Sequence, residues 1–179
     1  INLKKIKLGN NKLTTVIPEI GNLINLIEID MSHNQLIGAI PSEIGNLINL
    51  QILDFTGYLD EYNQLTIIPP EISNLKELEY FSVGYNNITT LPPEIGNLIN
   101  VKQLYLNECG FTNSIPPEIG NLINLEELHL EYNQLSGSIP PEIGNLINLT
   151  KLNLMNNGFI SGSIPSEIGN LINLTYLDF

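Results

Sequence analysis

Apolar residues recur along this chain in two short patterns that alternate with each other. In the first pattern, leucine or isoleucine alternates with a variable residue, as in Leu128-His129-Leu130. A period of two predicts a short strand with one buried face and one outward face. In the second pattern, proline precedes the letters EIGNL. Because proline cannot continue a strand ladder, a single helical or 3-10 turn is expected there.

The two patterns together repeat at a nearly constant period. The asparagine after Glu-Ile-Gly, or after Glu-Ile-Ser in one copy, recurs with steps of 24, 28, 23, 24, 24 and 25 residues. Residues 114–125 and 138–149 share the sequence SIPPEIGNLINL letter for letter. Such a period predicts a solenoid in which each repeat packs mainly on its neighbours. The marker asparagines are Asn22, Asn46, Asn74, Asn97, Asn121, Asn145 and Asn170.

Each turn is followed by a recognisable form of L-x-x-L-x-L-x-x-N-x-L. Its best copies are Leu125, Leu128, Leu130, Asn133, Leu135 and Leu149, Leu152, Leu154, Asn157, Phe159. This motif resembles that of the leucine-rich repeat (LRR) proteins over essentially the whole chain. The resemblance implies an α/β solenoid: a right-handed arc with a parallel β-sheet on the concave face and short 3-10 or helical turns on the convex face.

Two subtypes of the repeat occur together. The segment from Leu135 to Pro140 resembles the L-x-G-x-I-P form, of about 24 residues, found in plant-type receptor ectodomains and secreted inhibitors. The segment from Ile88 to Ile95 resembles the form of about 23 residues found in intracellular Ras-binding scaffolds and Roco-type proteins. Both an extracellular or cell-surface location and a cytoplasmic one are compatible with this mixture.

Domain organisation follows from the same repeat. We expect one LRR domain over residues 1–179, with about seven repeats and a truncated eighth. We also expect this domain to be a fragment that lacks the capping segments of a complete solenoid. The long step of 28 residues indicates an insertion at about residues 56–62, after the third strand. An inserted segment must leave the stack, so we expect it to display Tyr58 and Tyr62 beside the binding face. Neutral drift in a tolerant loop is the alternative interpretation.

The residue that closes each strand is predicted to be buried. Backbone groups lose their ladder partners where the chain leaves the strand, and an asparagine amide can both donate and accept there. Cys109 holds this position in the fifth repeat and is predicted to be a small buried residue, not a nucleophile. The glutamate after each proline suits the start of a helical turn, which favours capping and solubility over cation binding. These glutamates are Glu19, Glu43, Glu71, Glu94, Glu118, Glu142 and Glu167.

Charge and missing motifs exclude several functions. Seven lysines, no arginine and nineteen acidic residues give a net charge of -12. This charge repels phosphate backbones and anionic lipid. A membrane-spanning helix needs about eighteen apolar residues, and no apolar run in the sequence approaches that length. We therefore expect neither nucleic-acid binding nor membrane insertion. Nucleophile elbows, phosphate loops and H-E-x-x-H are absent from the sequence, so neither catalysis nor a cofactor is expected.

The outward strand positions should carry the information about a partner. Neighbouring strands lie about 4.8 Å apart, so aligned positions should form rows in space. They predict a basic N-terminal edge, an acidic second and third repeat, and an aromatic middle of Tyr80, Tyr85, Tyr105 and Tyr132 beside His129. Tyrosine anchors interfaces but also occurs on strands through propensity alone, so both interpretations stay open. One row is Lys7, Asp30, Asp54, Ser82, Tyr105, His129, Asn153 and Asp178, and the preceding one is Lys5, Glu28, Ile52, Tyr80, Gln103, Glu127, Lys151 and Tyr176.

Glu127, His129 and Glu131 alternate along one strand and so point the same way, about 6.6 Å apart. A histidine between two carboxylates can titrate with a raised pKa or take part in a metal site. Zinc normally needs four ligands, and no second histidine is close in the repeat order. We therefore predict no metal site.

The leading hypothesis is a non-catalytic protein–protein interaction module. Its concave acidic and aromatic surface would bind a protein or peptide with basic residues, with the insertion as a side contact. One alternative is an extracellular surface for carbohydrate or ice, formed by the asparagine rows on the return side of the solenoid. Another is an architectural spacer in a larger receptor or scaffold. The return-side asparagines are Asn25, Asn49, Asn100, Asn124, Asn148 and Asn173.

Overall fold

The computed structural model describes residues 2–58 and 63–179 of the chain. Short strands alternate with 3-10 turns along them. The strands in these residues are β1 (Lys5–Lys7), β2 (Glu28–Asp30), β3 (Ile37–Ala39), β4 (Ile52–Asp54), β5 (Gln64–Ile67), β6 (Tyr80–Ser82), β7 (Gln103–Tyr105), β8 (Glu127–His129), β9 (Ser136–Gly137), β10 (Lys151–Asn153), β11 (Phe159–Ile160) and β12 (Tyr176–Asp178). The 3-10 turns span Pro18–Asn22, Ser42–Asn46, Pro70–Asn74, Pro93–Asn97, Pro117–Asn121, Pro141–Asn145 and Ser166–Asn170.

One parallel sheet forms the concave face. Within the described residues it has eight strands in the order β1-β2-β4-β6-β7-β8-β10-β12. Each strand pairs in register with the next, so that Ser82 lies beside Tyr105 and Tyr105 beside His129. The rows predicted by aligning the repeats are therefore rows in space. The short pairs β3–β5 and β9–β11 lie on the return path of the chain. The LRR solenoid with a parallel sheet and short 3-10 turns is confirmed.

The turns on the convex face stack directly on one another. In five of the seven turns in the described residues a proline begins the turn, and each first turn contains the predicted glutamate. Glycine follows the buried isoleucine because the next turn approaches closely. A Cβ on Gly120 would lie 2.5 Å from the carbonyl oxygen of Glu142. The tight stacking of successive turns therefore explains why the sequence Glu-Ile-Gly-Asn is repeated.

The core is one continuous cluster that runs the length of the arc. Inward leucines and isoleucines of most concave strands and turns contribute to it, and Phe55, Phe81 and Phe111 are its largest fully buried side chains. Because these inward positions are filled, the variable positions of the strands face outward along the concave surface.

A ladder of buried asparagines closes the strands. Asn133 shows the pattern: its Nδ2 donates to the carbonyl oxygens of Leu106 and Leu130, both at 2.9 Å. Its Oδ1 accepts from the Phe111 N–H at 3.2 Å. One side chain thus joins its own turn to two places in the preceding repeat, as the sequence predicted. The buried ladder asparagines are Asn34, Asn63, Asn86, Asn133 and Asn157.

Cys109 occupies this ladder position in the fifth repeat. Its Sγ donates to the Val83 carbonyl oxygen at 3.2 Å, and the residue packs against the core. Burial raises the pKa of its thiol to about 12. A thiol that stays protonated is no nucleophile, which agrees with the structural role predicted for it.

Replacing Asn133 by alanine should lower the free energy of unfolding by about 2–4 kcal/mol, because four backbone groups would lose this hydrogen-bond partner inside the protein. Asn124 is the matched control, since its exposed amide donates one bond, to the Ile99 carbonyl oxygen. Asn124→Ala should cost less than about 1 kcal/mol. Urea unfolding followed by circular dichroism measures both, and equal losses would contradict a special role of the buried ladder.

Replacing Cys109 by asparagine should stabilise the protein. In the neighbouring repeats the ladder oxygen accepts from Leu65 N–H and Phe111 N–H, each two residues after the preceding ladder position. The equivalent donor for position 109 is the Ile88 N–H, and one added hydrogen bond contributes about 1 kcal/mol. The same unfolding assay, with Cys109→Ala as the control, should show a gain for asparagine only. A destabilised Cys109→Asn chain would show that the ladder is not uniform.

Candidate functional site

Three aromatic side chains stand side by side in the middle of the concave sheet. The ring centroids of Tyr80 and Tyr105 are 5.5 Å apart, and the rings are tilted by 41°. Tyr105 stacks on His129 with centroids 4.7 Å apart and an interplanar angle of 20°. Strands β6, β7 and β8 bring them together because they are adjacent in the sheet. We call Tyr80, Tyr105 and His129 the aromatic row.

Carboxylates surround the C-terminal end of the aromatic row. Tyr105 Oη donates to Glu127 Oε2 at 3.1 Å, and Lys151 Nζ lies 3.2 Å from Glu127 Oε1. The imidazole of His129 lies between two acids, with Nε2 3.4 Å from Glu127 and Nδ1 3.4 Å from Glu131. Both predicted acids thus contact His129, but strand β8 ends at His129 and Glu131 lies two residues beyond it.

This arrangement changes the ionisation of the groups involved. The hydrogen bond to Glu131 raises the pKa of His129 in spite of burial. Burial opposes ionisation of Glu127, but hydrogen bonds from Lys151, Tyr105 and His129 outweigh it and lower the pKa of that carboxyl. Burial and nearby carboxylates raise the pKa of Tyr80 and of Tyr105 to about 12. Both phenols therefore stay protonated and can donate hydrogen bonds near neutral pH.

One acceptor at this end of the aromatic row has no partner among the described residues. The Glu131 Oε2 atom is buried and makes no hydrogen bond there. An unpaired buried carboxylate oxygen costs free energy, so a hydrogen-bond donor that reached it would be stabilising.

Tyr85 and Tyr132 stand where the chain leaves strands β6 and β8. Both have left-handed backbone conformations, with φ of 57° and 55°, which few bulky residues adopt. The next residue in each case is a ladder asparagine. Asn133, for example, donates to the carbonyl oxygens of Leu130 and Glu131 and so fixes the turn around Tyr132. Tyr132 is 45% exposed, whereas Tyr85 is half-buried.

The predicted insertion is described only in part. Tyr58 is 58% exposed and packs edge-on against His33, with ring centroids 5.5 Å apart. His33 follows β2, two strands before β6 in the sheet, so Tyr58 lies towards the N-terminal side of the aromatic row. Tyr62 lies outside the described residues. The role of the insertion as a side contact therefore stays a prediction.

A cavity adjoins the N-terminal end of the aromatic row. Its volume is about 540 Å³, and Tyr80 forms part of its wall. The sequence predicts an acidic zone of Glu28, Asp30 and Asp54 but does not connect it with the aromatic residues. The strand register makes this connection, because it places Asp30 beside Asp54 and Ile52 beside Tyr80. The cavity is lined by Glu28, Asp30, Ile52, Asp54, Glu79, Tyr80, Lys102, Gln103 and Glu126.

The basic edge and the acidic repeats were predicted as two separate zones, but ion pairs join them in the structure. Lys5 and Lys7 each place Nζ 2.7 Å from an oxygen of Glu28, which is buried. The hydrogen bonds from these lysines lower the pKa of Glu28. Opposite charges on neighbouring strands thus neutralise each other, and Asp30 and Asp54 carry the acidic character of this region.

The asparagine rows on the return side hold repeats together. Asn124 Nδ2 donates to the Ile99 carbonyl oxygen at 2.9 Å, and Asn148 Nδ2 donates to the Ile123 carbonyl oxygen at 2.8 Å. Asn49, Asn100 and Asn173 make the same kind of bond to the preceding repeat. These amides therefore have a structural role on the convex side.

Two further properties concern the described residues as a set. Among residues 2–58 and 63–179, no group of three or more histidine, cysteine, aspartate or glutamate side chains is placed to hold a metal ion. No helix in this part of the chain combines the length and hydrophobicity needed to cross a bilayer.

Comparison with protein families gives one consistent description. Residues 57–158 match the family described as leucine-rich repeat region. Residues 2–23, 25–47 and 148–171 match the family described as leucine-rich repeat. A search of curated proteins found no significant match.

Several solved structures are similar to this chain. The LRR ectodomain of the plant membrane receptor kinase GASSHO1/SCHENGEN3 from Arabidopsis thaliana, in complex with CASPARIAN STRIP INTEGRITY FACTOR 2, is 37% identical with a TM-score of 0.88. The Arabidopsis receptor kinase HAESA, in complex with the peptide hormone IDA and the co-receptor SERK1, is 31% identical with a TM-score of 0.89. The LRR protein LIC12759 of Leptospira interrogans is 40% identical with a TM-score of 0.70.

These similarities cover nearly all of this chain but only part of the other proteins. The three structures cover 98%, 99% and 97% of the chain, which spans 21%, 29% and 47% of theirs. The similarity therefore concerns the repeat array alone.

The raised pKa of His129 should make its contribution to stability depend on pH. Protonated imidazole is stabilised by Glu131 and Glu127, so this contribution is fully present below about pH 6.5, the pKa of an unfolded histidine. It should be lost as the pH rises through the higher pKa of the folded protein. The difference in free energy of unfolding between the native chain and His129→Gln should shrink accordingly.

NMR titration of the His129 imidazole checks the cause directly. Glu131→Gln should lower the pKa of His129, because the hydrogen bond to Glu131 is the main reason for its elevation. Glu126→Gln, at an exposed position just before β8, is the control and should leave the pKa of His129 nearly unchanged. Equal titration curves in the native chain and Glu131→Gln would contradict this origin.

Proposed function

This chain belongs to the leucine-rich repeat family, and from that premise we propose that it is a non-catalytic module whose concave sheet binds an extended peptide or protein segment with basic residues. LRR domains are in general non-catalytic binding modules. The arrangement of the aromatic row among carboxylates, in the middle of the concave sheet, carries the proposal. Tyrosine and histidine rings supply contact area at low entropic cost and also polar tips for hydrogen bonds.

The similar plant receptor structures support a peptide or protein partner. HAESA was solved with a peptide hormone, and RGFR1 is described as a plant peptide hormone receptor in complex with RGF2. RGFR1 is 35% identical to this chain with a TM-score of 0.90. The identity of the partner and its preferred side chains are inferred from this chain's own concave surface.

The dimensions of the sheet suit an extended segment. Eight strands lie across the described concave surface, and at about 4.8 Å between neighbours they span roughly 34 Å. An extended chain advances about 3.3 Å per residue, so about ten residues would cross the sheet. A peptide of this length could contact the cavity, the aromatic row and the carboxylates around His129 at once.

The charges favour basic side chains in such a segment. The net charge of -12 attracts cations at long range. Close to the surface, Asp30 and Asp54 have no cationic side chain in ion-pair contact within the described residues. We therefore infer that lysine and arginine are the partner's main charged residues.

Observations on the convex side give less support to the other functions. The amide nitrogens of five return-side asparagines donate hydrogen bonds to the preceding repeat. Fewer N–H donors are therefore free to bind a carbohydrate or ice. An architectural spacer would need no aromatic row, and two half-buried tyrosines and a histidine aligned across three strands are a specific arrangement. The concave surface is thus the better-supported site.

Selection from a displayed library of random peptides of about ten residues tests the proposal. Selected peptides should be enriched in lysine and arginine over the starting library. Their affinity should fall about tenfold or more in a Tyr80→Ala, Tyr105→Ala, Tyr132→Ala variant, because aromatic anchors dominate such interfaces. Affinity should also fall with added salt, mainly through the association rate.

Phe159→Ala is the matched control, since Phe159 is 64% exposed on β11, outside the concave sheet. It should bind the selected peptides like the native chain. Circular dichroism would establish that all variants are folded. Enrichment of acidic or uncharged peptides, salt-independent affinity, or equal binding by the triple variant would each reject this proposal.

A further inference from the structure

We propose that the cavity beside Tyr80 is a subsite for one guanidinium side chain of the bound segment. This inference rests on the proposed function and names one chemical group that the concave surface selects. Its parts are two aspartates that form no ion pair within the described residues, an aliphatic floor and an aromatic wall, which the adjacent strands β2, β4 and β6 bring together.

The two aspartates are held in fixed orientations. Asp30 Oδ1 accepts from the Ser32 N–H at 3.0 Å and from Ser32 Oγ at 2.7 Å. Asp54 Oδ1 accepts from the Thr56 N–H at 2.9 Å and from Thr56 Oγ1 at 2.6 Å. The same oxygen is engaged in both residues. The Oδ2 atoms make no hydrogen bond within the described residues and can accept from a ligand.

The other acids that line the cavity already have cationic partners or lie at its margin. Glu28 is paired with Lys5 and Lys7, and Glu79 lies 2.7 Å from Lys102 Nζ. A cation entering the cavity would displace neither pair if it bound Asp30 and Asp54. These two residues are register partners on β2 and β4, so their backbones are about 4.8 Å apart, and we expect one planar cation to bridge their carboxylates.

The remaining walls fit the stem of a long side chain. Ile52 is 37% exposed and lies between the acids and the aromatic row, in register with Tyr80. Tyr80 is half-buried, and its raised pKa keeps it a neutral phenol. Arginine and lysine both bury their methylene stems on such apolar surface while the charged head reaches polar groups.

Arginine fits this arrangement better than lysine. A guanidinium group presents five donors in a planar fork and can bind two carboxylate oxygens at once, whereas an ammonium group acts as a point charge. A guanidinium also stacks on aromatic rings, and Tyr80 supplies one. The expected order is therefore guanidinium before ammonium, with little binding of neutral analogues.

Small probes test the subsite without a known peptide. Butylguanidinium and butylammonium share one stem and differ in the head group. In a chain labelled at isoleucine methyl groups, butylguanidinium should shift the Ile52 methyl signal with a saturable curve, and butylammonium should do so at higher concentration. The Ile52 signal is assigned as the one lost in Ile52→Val, and exposed Ile147 on the convex side is the internal reference.

Asp30→Asn with Asp54→Asn should abolish the saturable shift. An asparagine oxygen can still accept from Ser32 or Thr56, so the fold should be preserved. Glu118→Gln with Glu142→Gln is the matched control, since it removes two charges from the convex turns instead. This control should keep the shift at Ile52.

The proposal is overturned if the native chain gives no saturable shift at Ile52, or if the shift survives in the double asparagine variant. It is also overturned if Ile147 responds in the same way as Ile52. If the library selection returned basic peptides in any of these cases, only the subsite would fail. If the selection returned no basic peptides while the Ile52 shift was present, the guanidinium site would stand and the peptide-binding function would fail.

Discussion

Backbone hydrogen bonding at the ends of very short strands is the constraint on which this structure depends. The concave strands are three residues long, and the chain must leave each strand inside the stack, where water cannot satisfy its polar groups. The buried ladder solves this problem once per repeat. Asn34, for example, donates to the Leu8 and Met31 carbonyl oxygens and accepts from the Leu13 N–H. Because two of these three bonds cross to the preceding repeat, the ladder also fixes the register of the sheet.

The ladder and the binding surface are consequently parts of one arrangement. His33, Tyr85 and Tyr132 all precede a ladder asparagine and all have positive φ. A left-handed conformation is unfavourable for such side chains, and the bonds of the adjacent asparagine maintain it. The turn at each of these positions is therefore fixed, and it determines the direction in which the side chain leaves the backbone. A rigid surface loses little entropy on binding, which suits recognition of a flexible peptide.

The sequence was sufficient for the fold because the repeat supplies many independent copies of the same physical signal. The period, the inward leucines, the ladder asparagines and the 3-10 turns were all predicted, and the rows of outward residues follow directly from alignment. The contacts of His129 with Glu127 and Glu131 were also predictable from their alternation along the chain, although strand β8 itself ends at His129. The pairing of Glu28 with Lys5 and Lys7, and the cavity shared by Asp30, Asp54 and Tyr80, depend on side-chain conformations across strands. Alignment gives the neighbours of a residue but not which neighbour its side chain contacts.

This distinction explains why net charge alone is a poor guide to the binding surface. Five outward acids lie at or near the three concave strands β2, β4 and β8, yet their surroundings differ. Glu28 is neutralised by lysines, and Glu127 is shared between Lys151, Tyr105 and His129. Glu131 contacts His129, while one of its oxygens is buried with no partner among the described residues. Within the same residues, Asp30 and Asp54 are bonded through one oxygen each, to neutral groups of their own turns. An added cation gains most where a carboxylate is oriented but not yet neutralised, because no existing pair has to be broken. Local pairing, more than the number of acids, would therefore place the strongest attraction for a basic side chain of the proposed partner at the N-terminal end of the aromatic row.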